Sequence, residues 1–125
     1  MDTWAICVKC LIETLDSVPF IIFLIMVLSD VVTGFVKAII TGKPSSSAGV
    51  KGIAKHLMEV FGVLVIATTF AMLDQQAYGT IVIMAMYAVE GISLVGNLDA
   101  MGVPLPSWLV DYFGDIKDKQ PKDGD

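Results

Sequence analysis

Charged residues and reactive motifs are scarce in this chain of 125 residues. Only 17% of the residues are charged, against roughly 25% in ordinary soluble domains. There is a single histidine, no glycine-rich phosphate loop, and no nucleophile beside a base at a recognisable spacing. We therefore expect no enzymatic activity, no cofactor and no bound metal. The net charge of -5 comes without a basic patch, so nucleic acid is not an expected partner.

Cysteine is also scarce, and the two cysteines present stand close together. Cys7 and Cys10 form one C-x-x-C motif, which in another context is a redox pair or part of a metal site. A single pair without further ligands is weak evidence for either role. On a helix the two positions are i and i+3, so we favour two small apolar side chains on the membrane-facing side.

Long apolar stretches are what the sequence has in abundance. Hydrophobic residues make up 55% of the chain, and its mean hydropathy is +0.75. Three stretches are near the roughly 20 residues that a helix needs to cross a bilayer. They are Val18–Ile40, Leu57–Leu73 and Gly79–Leu98. The predicted fold is therefore an all-α membrane protein with three transmembrane helices within residues 18–98.

Shorter amphipathic segments flank the three spans. Residues 1–17 are too short to span a bilayer and place their charged side chains on one helical face, as in a helix lying in the membrane interface. These are Asp2, Lys9, Glu13 and Asp16. The alternative is an extension of the first span, bent at Pro19. Residues 99–116 combine a proline-containing linker with a second interfacial helix that has an aromatic anchor. Residues 117–125 are expected to form a disordered, charged tail.

The connection between the first two spans, residues 41–56, contains glycine, proline and three consecutive serines, and is predicted to be a loop that ends with His56. The turn between the second and third spans, residues 74–78, contains no lysine. By the positive-inside rule, lysines in the first connection place it in the cytoplasm, with the N-terminus outside and the C-terminus inside. These topology determinants are Lys43, Lys51 and Lys55.

Each span has an acidic residue within it or at its edge: Asp30, Glu59 and Glu90. A carboxylate in hydrocarbon costs at least about 2.5 kcal/mol on insertion scales, so such residues are retained where they face other helices or water. Glu59 is expected to be the least buried, because it lies one turn after Lys55 near the membrane boundary. We favour an ordinary interface carboxylate paired with Lys55 as the interpretation of Glu59.

Polar and small residues in the first and third spans lie along single helical stripes, at spacings of three and four residues. Such stripes let helices approach closely and supply partners for a buried acid. We take these residues as candidates for self-association and for lining a pore; packing within the chain's own bundle is the alternative. The candidates are Asp30, Thr33, Gly34, Lys37 and Ala38 in the first span, and Glu90, Ser93 and Asn97 in the third.

The same residues carry a resemblance to a known family. The motifs are D-x-x-T-G-x-x-K-A at residues 30–38, a serine-rich segment before Gly52 and Lys55, E-x-I-S-x-x-x-N at residues 90–97, and G-V-P-L-P at residues 102–106. In this order and spacing they resemble the phage holin family that includes the clostridial toxin-secretion holins. This chain has Gly96 where many members have glutamate, and Lys55-His56 where they have two basic residues.

The resemblance implies a small phage protein that accumulates in the host cytoplasmic membrane and oligomerises abruptly into lesions. These lesions depolarise the membrane and release or activate an endolysin. The implied partners are other copies of the chain, the lipid bilayer and, without necessary direct contact, the endolysin. One alternative is a small ion channel or transporter subunit, in which Asp30 and Glu90 line a selective path. A non-conducting membrane scaffold or antiholin is another.

Overall fold

The computed structural model describes residues 2–119, and the side chains of residues 2–115. Over that range the chain forms helices and no strand: α1 Thr3–Leu15, α2 Val18–Ile40, α3 Ser46–Met72, α4 Gln76–Ala100 and α5 Ser107–Lys119. The helices α2, α3 and α4 are long and apolar enough to cross a membrane, which confirms the predicted fold class. α5 continues into the predicted tail of residues 117–125, whose last six residues lie outside the described range.

The connection between α2 and α3 is shorter than predicted. α3 begins at Ser46, so only residues 41–45 lie outside a helix, and the predicted loop up to His56 is wrong in its second part. The Ser45 hydroxyl accepts a hydrogen bond from Ala48 N at 3.3 Å and caps the helix. The glycines that follow lie within α3, where each costs about 1 kcal/mol relative to alanine. Lys51, Lys55 and His56 therefore lie on α3.

α4 lies at the centre of the bundle and contacts α2, α3 and α5. The Tyr87 hydroxyl donates a hydrogen bond to the Pro19 carbonyl at 2.7 Å and joins α4 to the start of α2. α3 and α4 approach closely at Gly79, where an added Cβ atom would lie 3.2 Å from Ala67 Cα. The buried apolar core between the three long helices consists of Phe20, Phe23, Val27, Val63, Ala67 and Ile83.

Many large apolar side chains of the long helices face outward. Those exposed on α2 include Ile25, Leu28, Val32 and Phe35. In water, an apolar surface of this extent favours aggregation, whereas in a bilayer the lipid chains cover it. The exterior of the bundle therefore suits a membrane.

The N-terminal helix packs on the bundle. α1 contacts α3 and α2 and buries Cys10 and Thr14. Because Cys10 is covered by protein, its predicted position on the membrane-facing side is wrong; Cys7 is half-buried, and both thiols are free. The interfacial location of α1 stays a prediction.

The C-terminal helix folds back against α4. A Cβ atom at Gly91 would lie 2.8 Å from Phe113 Cε1, so the missing side chain makes room for the aromatic ring. Trp108 and Tyr112 are exposed, which suits the aromatic anchor expected of a helix at the membrane interface. That location of α5 also stays a prediction.

Candidate functional site

Polar side chains from α2, α3 and α4 meet at one level of the bundle. Asp30 lies ten residues before the end of α2, His56 ten residues after the start of α3, and Glu90 ten residues before the end of α4. At a rise of about 1.5 Å per residue, this level is about 15 Å from the helix ends. The side chains that meet there, here called the polar cluster, are Asp30, His56, Glu59, Glu90, Ser93 and Asn97.

The Asp30 side chain accepts two of the hydrogen bonds that join α2 to α4. Its Oδ1 accepts from the Ser93 hydroxyl at 2.7 Å and from Asn97 Nδ2 at 2.8 Å. Asn97 Nδ2 also donates to the Thr33 hydroxyl oxygen at 3.1 Å, and that hydroxyl donates to the Ser29 carbonyl at 2.8 Å. These donors offset part of the cost of burying the carboxylate.

His56 joins α3 to α2 and has a carboxylate beside each ring nitrogen. Its Nε2 lies 3.2 Å from Asp30 Oδ2, and its Nδ1 lies 2.9 Å from Glu59 Oε2. A neutral imidazole carries one N–H, so the other nitrogen then presents its lone pair to a carboxylate. A doubly protonated ring donates to both acids. The ring therefore places one nitrogen beside an acid on α2 and the other beside an acid on its own helix.

Glu59 is the least buried of the three acids, as predicted. Its side chain is 17% exposed, against 4% for Asp30 and 1% for Glu90. Its Oε1 lies 3.6 Å from Lys55 Nζ, which confirms the predicted ion pair. Its second oxygen faces His56, so Glu59 also belongs to the polar cluster, a role that the sequence did not predict.

Glu90 is the most deeply buried of the acids and has the fewest partners. Neither of its carboxylate oxygens has a hydrogen-bond partner among the described residues. Its Oε1 lies 3.8 Å from His56 Nδ1, which is beyond hydrogen-bond length. An uncompensated buried charge is strongly destabilising, and an acid kept in such a place by default marks function.

The predicted stripes of α2 and α4 face each other within one chain. Packing within the chain's own bundle is the alternative that the sequence left open. Self-association of copies through these stripes stays a prediction. An added Cβ atom at Gly34 would lie 3.6 Å from Asn97 Nδ2, so the small residue lets the two helices approach. Lys37 and Ala38 are half-buried and lie outside the polar cluster. The stripe residues in mutual contact are Asp30, Thr33, Ser93 and Asn97.

Sequence reasoning missed His56, because it assigned this residue to a loop. A usable signal was present: Ser45 is a good N-cap residue, and His56 and Glu59 stand at i and i+3 on the helix that it begins. The serine-rich composition outweighed that signal.

A groove of about 1040 Å³ extends from the polar cluster to the connection between α2 and α3. Asp30, His56 and Ser93 line its inner part, and Lys43 and Pro44 belong to the connection. The groove gives water and small ions a route towards the cluster from that end of the bundle.

Comparison with known proteins identifies relatives over most of the chain. The sequence is 32% identical over 120 residues to the uncharacterized protein YqxH of Bacillus subtilis strain 168, covering 86% of this chain and 84% of YqxH. It is 28% identical over 105 residues to an uncharacterized protein of Clostridium perfringens strain 13, covering 82% of this chain and 78% of the relative.

A second Clostridium perfringens relative, an uncharacterized 14.9 kDa protein in the nagH 3' region, is 28% identical over 106 residues, covering 83% of this chain and 80% of the relative. No solved structure matches the chain. The sequence matches the bacteriophage holin family over residues 8–118, a range that includes all three long helices and the polar cluster. The chain therefore belongs to the bacteriophage holin family.

Proposed function

We propose that this protein is a holin that accumulates in the bacterial cytoplasmic membrane and then oligomerises into lesions. The lesions depolarise the membrane and release or activate an endolysin, so that the host cell lyses. The observation that carries this proposal is a charged, hydrogen-bonding cluster enclosed by helices with apolar outer faces. Membership in the holin family supports it independently.

The enclosed cluster accounts for harmless accumulation. In the single chain, Asn97 donates a hydrogen bond to Asp30, and Glu90 is covered by the helices. Outward-facing apolar side chains such as Leu28 contact lipid without cost. The groove from the α2–α3 connection ends at the polar cluster, so over the described residues a single copy presents no continuous polar surface through which ions could cross the membrane.

The same cluster accounts for lesion formation once copies associate. Its bonds join separate helices and involve no covalent link, so water or a neighbouring copy can replace them at modest cost. Glu90 gains most from such a rearrangement, because hydration supplies partners that it lacks among the described residues. Turning the polar stripes of α2 and α4 towards water would give the lesion a hydrated wall.

Co-expression with an endolysin in bacteria tests this function. The proposal predicts a delay with normal membrane potential, followed by abrupt and simultaneous loss of the potential and of cell integrity. The endolysin expressed alone is the control. A graded ion leak without protein release would instead indicate a channel or transporter subunit. No change in either quantity, with the protein present in the membrane fraction, would indicate a scaffold or antiholin.

A further inference from the structure

We propose that the polar cluster binds a divalent transition-metal ion, with Asp30, His56 and Glu90 as ligands from three different helices. Ligand atoms of these three residues lie within 4.8 Å of one another. Ligands bonded to zinc at about 2.0–2.2 Å are about 3.4 Å apart in a tetrahedral site. Side-chain movements on the order of 1 Å would therefore close the three residues around one ion.

The unpartnered carboxylate of Glu90 supports this site independently of the clustering. Glu90 is 1% exposed, and both of its oxygens lack a hydrogen-bond partner among the described residues. Its Oε1 points towards the imidazole of His56, from which it is separated by 3.8 Å. A metal site without its ion has this arrangement: a buried pair of carboxylate oxygens that has no hydrogen-bond donor and faces a nitrogen ligand.

The charge balance of the cluster also favours a cation. Three carboxylates surround one imidazole, and the one lysine that pairs with any of them among the described residues is Lys55, whose Nζ lies 3.6 Å from Glu59 Oε1. Buried charges of one sign are costly unless a partner of opposite sign is present. A divalent ion offsets two negative charges at once.

The ligand types select the class of ion. One imidazole nitrogen with carboxylate oxygens suits zinc and similar transition metals, whereas calcium and magnesium prefer oxygen ligands alone. Glu59 Oε2 lies 2.9 Å from His56 Nδ1, outside the three residues whose ligand atoms cluster. Ser93 and Asn97 hold the Asp30 carboxylate in position by hydrogen bonds, as the groups around metal ligands commonly do. The groove that reaches Asp30 and His56 supplies the route for the ion.

Zinc binding to the purified full chain in detergent, without a histidine tag, tests the proposal. After dialysis against buffered micromolar zinc, the protein should retain one zinc ion per chain. Glu90→Gln and His56→Gln should each weaken binding by on the order of tenfold or more. Glu13→Gln is the matched control, because Glu13 is exposed on α1 and pairs only with Lys9 at 3.8 Å among the described residues; it should bind as the wild type does.

X-ray absorption of the bound zinc gives a second measurement that needs no variant. It should show one imidazole together with oxygen ligands at about 2.0–2.2 Å. A wild-type chain that retains no zinc, or zinc without an imidazole ligand, would overturn the proposal whether or not the variants fold. Unchanged binding in variants with wild-type helix content would overturn it as well. Neither measurement involves lysis, so failure of the proposed holin function would leave both unaffected.

Discussion

Asp30 holds three helices together through its two carboxylate oxygens. One oxygen accepts hydrogen bonds from Ser93 and Asn97 on α4, and the other lies beside His56 on α3. If this carboxylate were removed, Ser93 would lose its acceptor among the described residues, and Asn97 and His56 would each lose one of their partners. Leaving buried polar groups unpaired costs more free energy than an intact pair contributes.

Asp30→Ala should therefore lower the free energy of unfolding by about 3 kcal/mol or more. Unfolding of the detergent-solubilised protein, followed by far-UV circular dichroism, measures this loss. Asp99→Ala is the control, because Asp99 is an exposed acid on α4, and a change there should stay within about 0.5 kcal/mol. Equal losses in the two variants would show that Asp30 does not hold the helices together.

For single residues, the sequence revealed the buried acids but not the side chains that they contact. Asp30 and Glu90 were recognisable because each carboxylate interrupts an apolar run of the sequence. The bond between Asp30 and Asn97 joins residues 67 positions apart, so it depends on which helices pack together. His56 was missed for a local reason, since the composition of the preceding segment hid the start of α3.

Among the helices, α4 shows most clearly how single glycines set the packing. Gly91 and Gly96 lie on the same helix, but only Gly91 faces a neighbour. A Cβ atom there would lie 2.8 Å from the ring of Phe113 on α5, whereas a Cβ atom at Gly96 would have nothing within 4 Å. Substitutions at the two positions therefore distinguish the effect of helix propensity on stability from the effect of packing against a neighbouring helix.

Gly96→Ala should stabilise the protein by up to about 1 kcal/mol, because alanine favours a helix more than glycine does. Gly91→Ala should instead destabilise it by about 1–2 kcal/mol, since the methyl group overpacks the contact with α5. Thermal unfolding in detergent measures both effects. In a Phe113→Ala background the clash is absent, so Gly91→Ala should become stabilising. The same sign at both glycines in the original background would contradict the docking of α5 on α4.

The number and order of the long helices could be predicted from the sequence, because an apolar run of nearly 20 residues has few alternatives to a spanning helix. The boundaries were harder. α2 has the predicted bounds, whereas α3 begins at Ser46 instead of near Leu57. Its first three turns are rich in serine, glycine and lysine, which predict a loop by composition, although the cap at Ser45 supports a helix.

For the whole molecule, the lysine distribution predicts the orientation of the chain in the membrane. The fold offers two positions at which this orientation can be tested. Ser46 is exposed at the start of α3, and Gln75 is exposed in the turn between α3 and α4. In a background lacking Cys7 and Cys10, Ser46→Cys should be protected from an impermeant thiol reagent in intact cells, while Gln75→Cys should react. Labelling must be measured before the membrane potential is lost. The reverse pattern would place the N-terminus in the cytoplasm and the C-terminus outside.

The proposed function requires that the polar cluster, which the groove reaches from the α2–α3 connection, is shut off from the opposite side of the membrane in the single chain and faces water from both sides in the lesion. Ser93 reports on it directly, because Ser93→Cys nearly preserves side-chain size and the residue points at Asp30. Leu28, exposed on the apolar face of α2, is the control. In the cysteine-free background, an impermeant thiol reagent should label Ser93→Cys only after the membrane potential collapses, and Leu28→Cys at neither time. Continued protection of Ser93→Cys in cells that lyse on time would contradict the account.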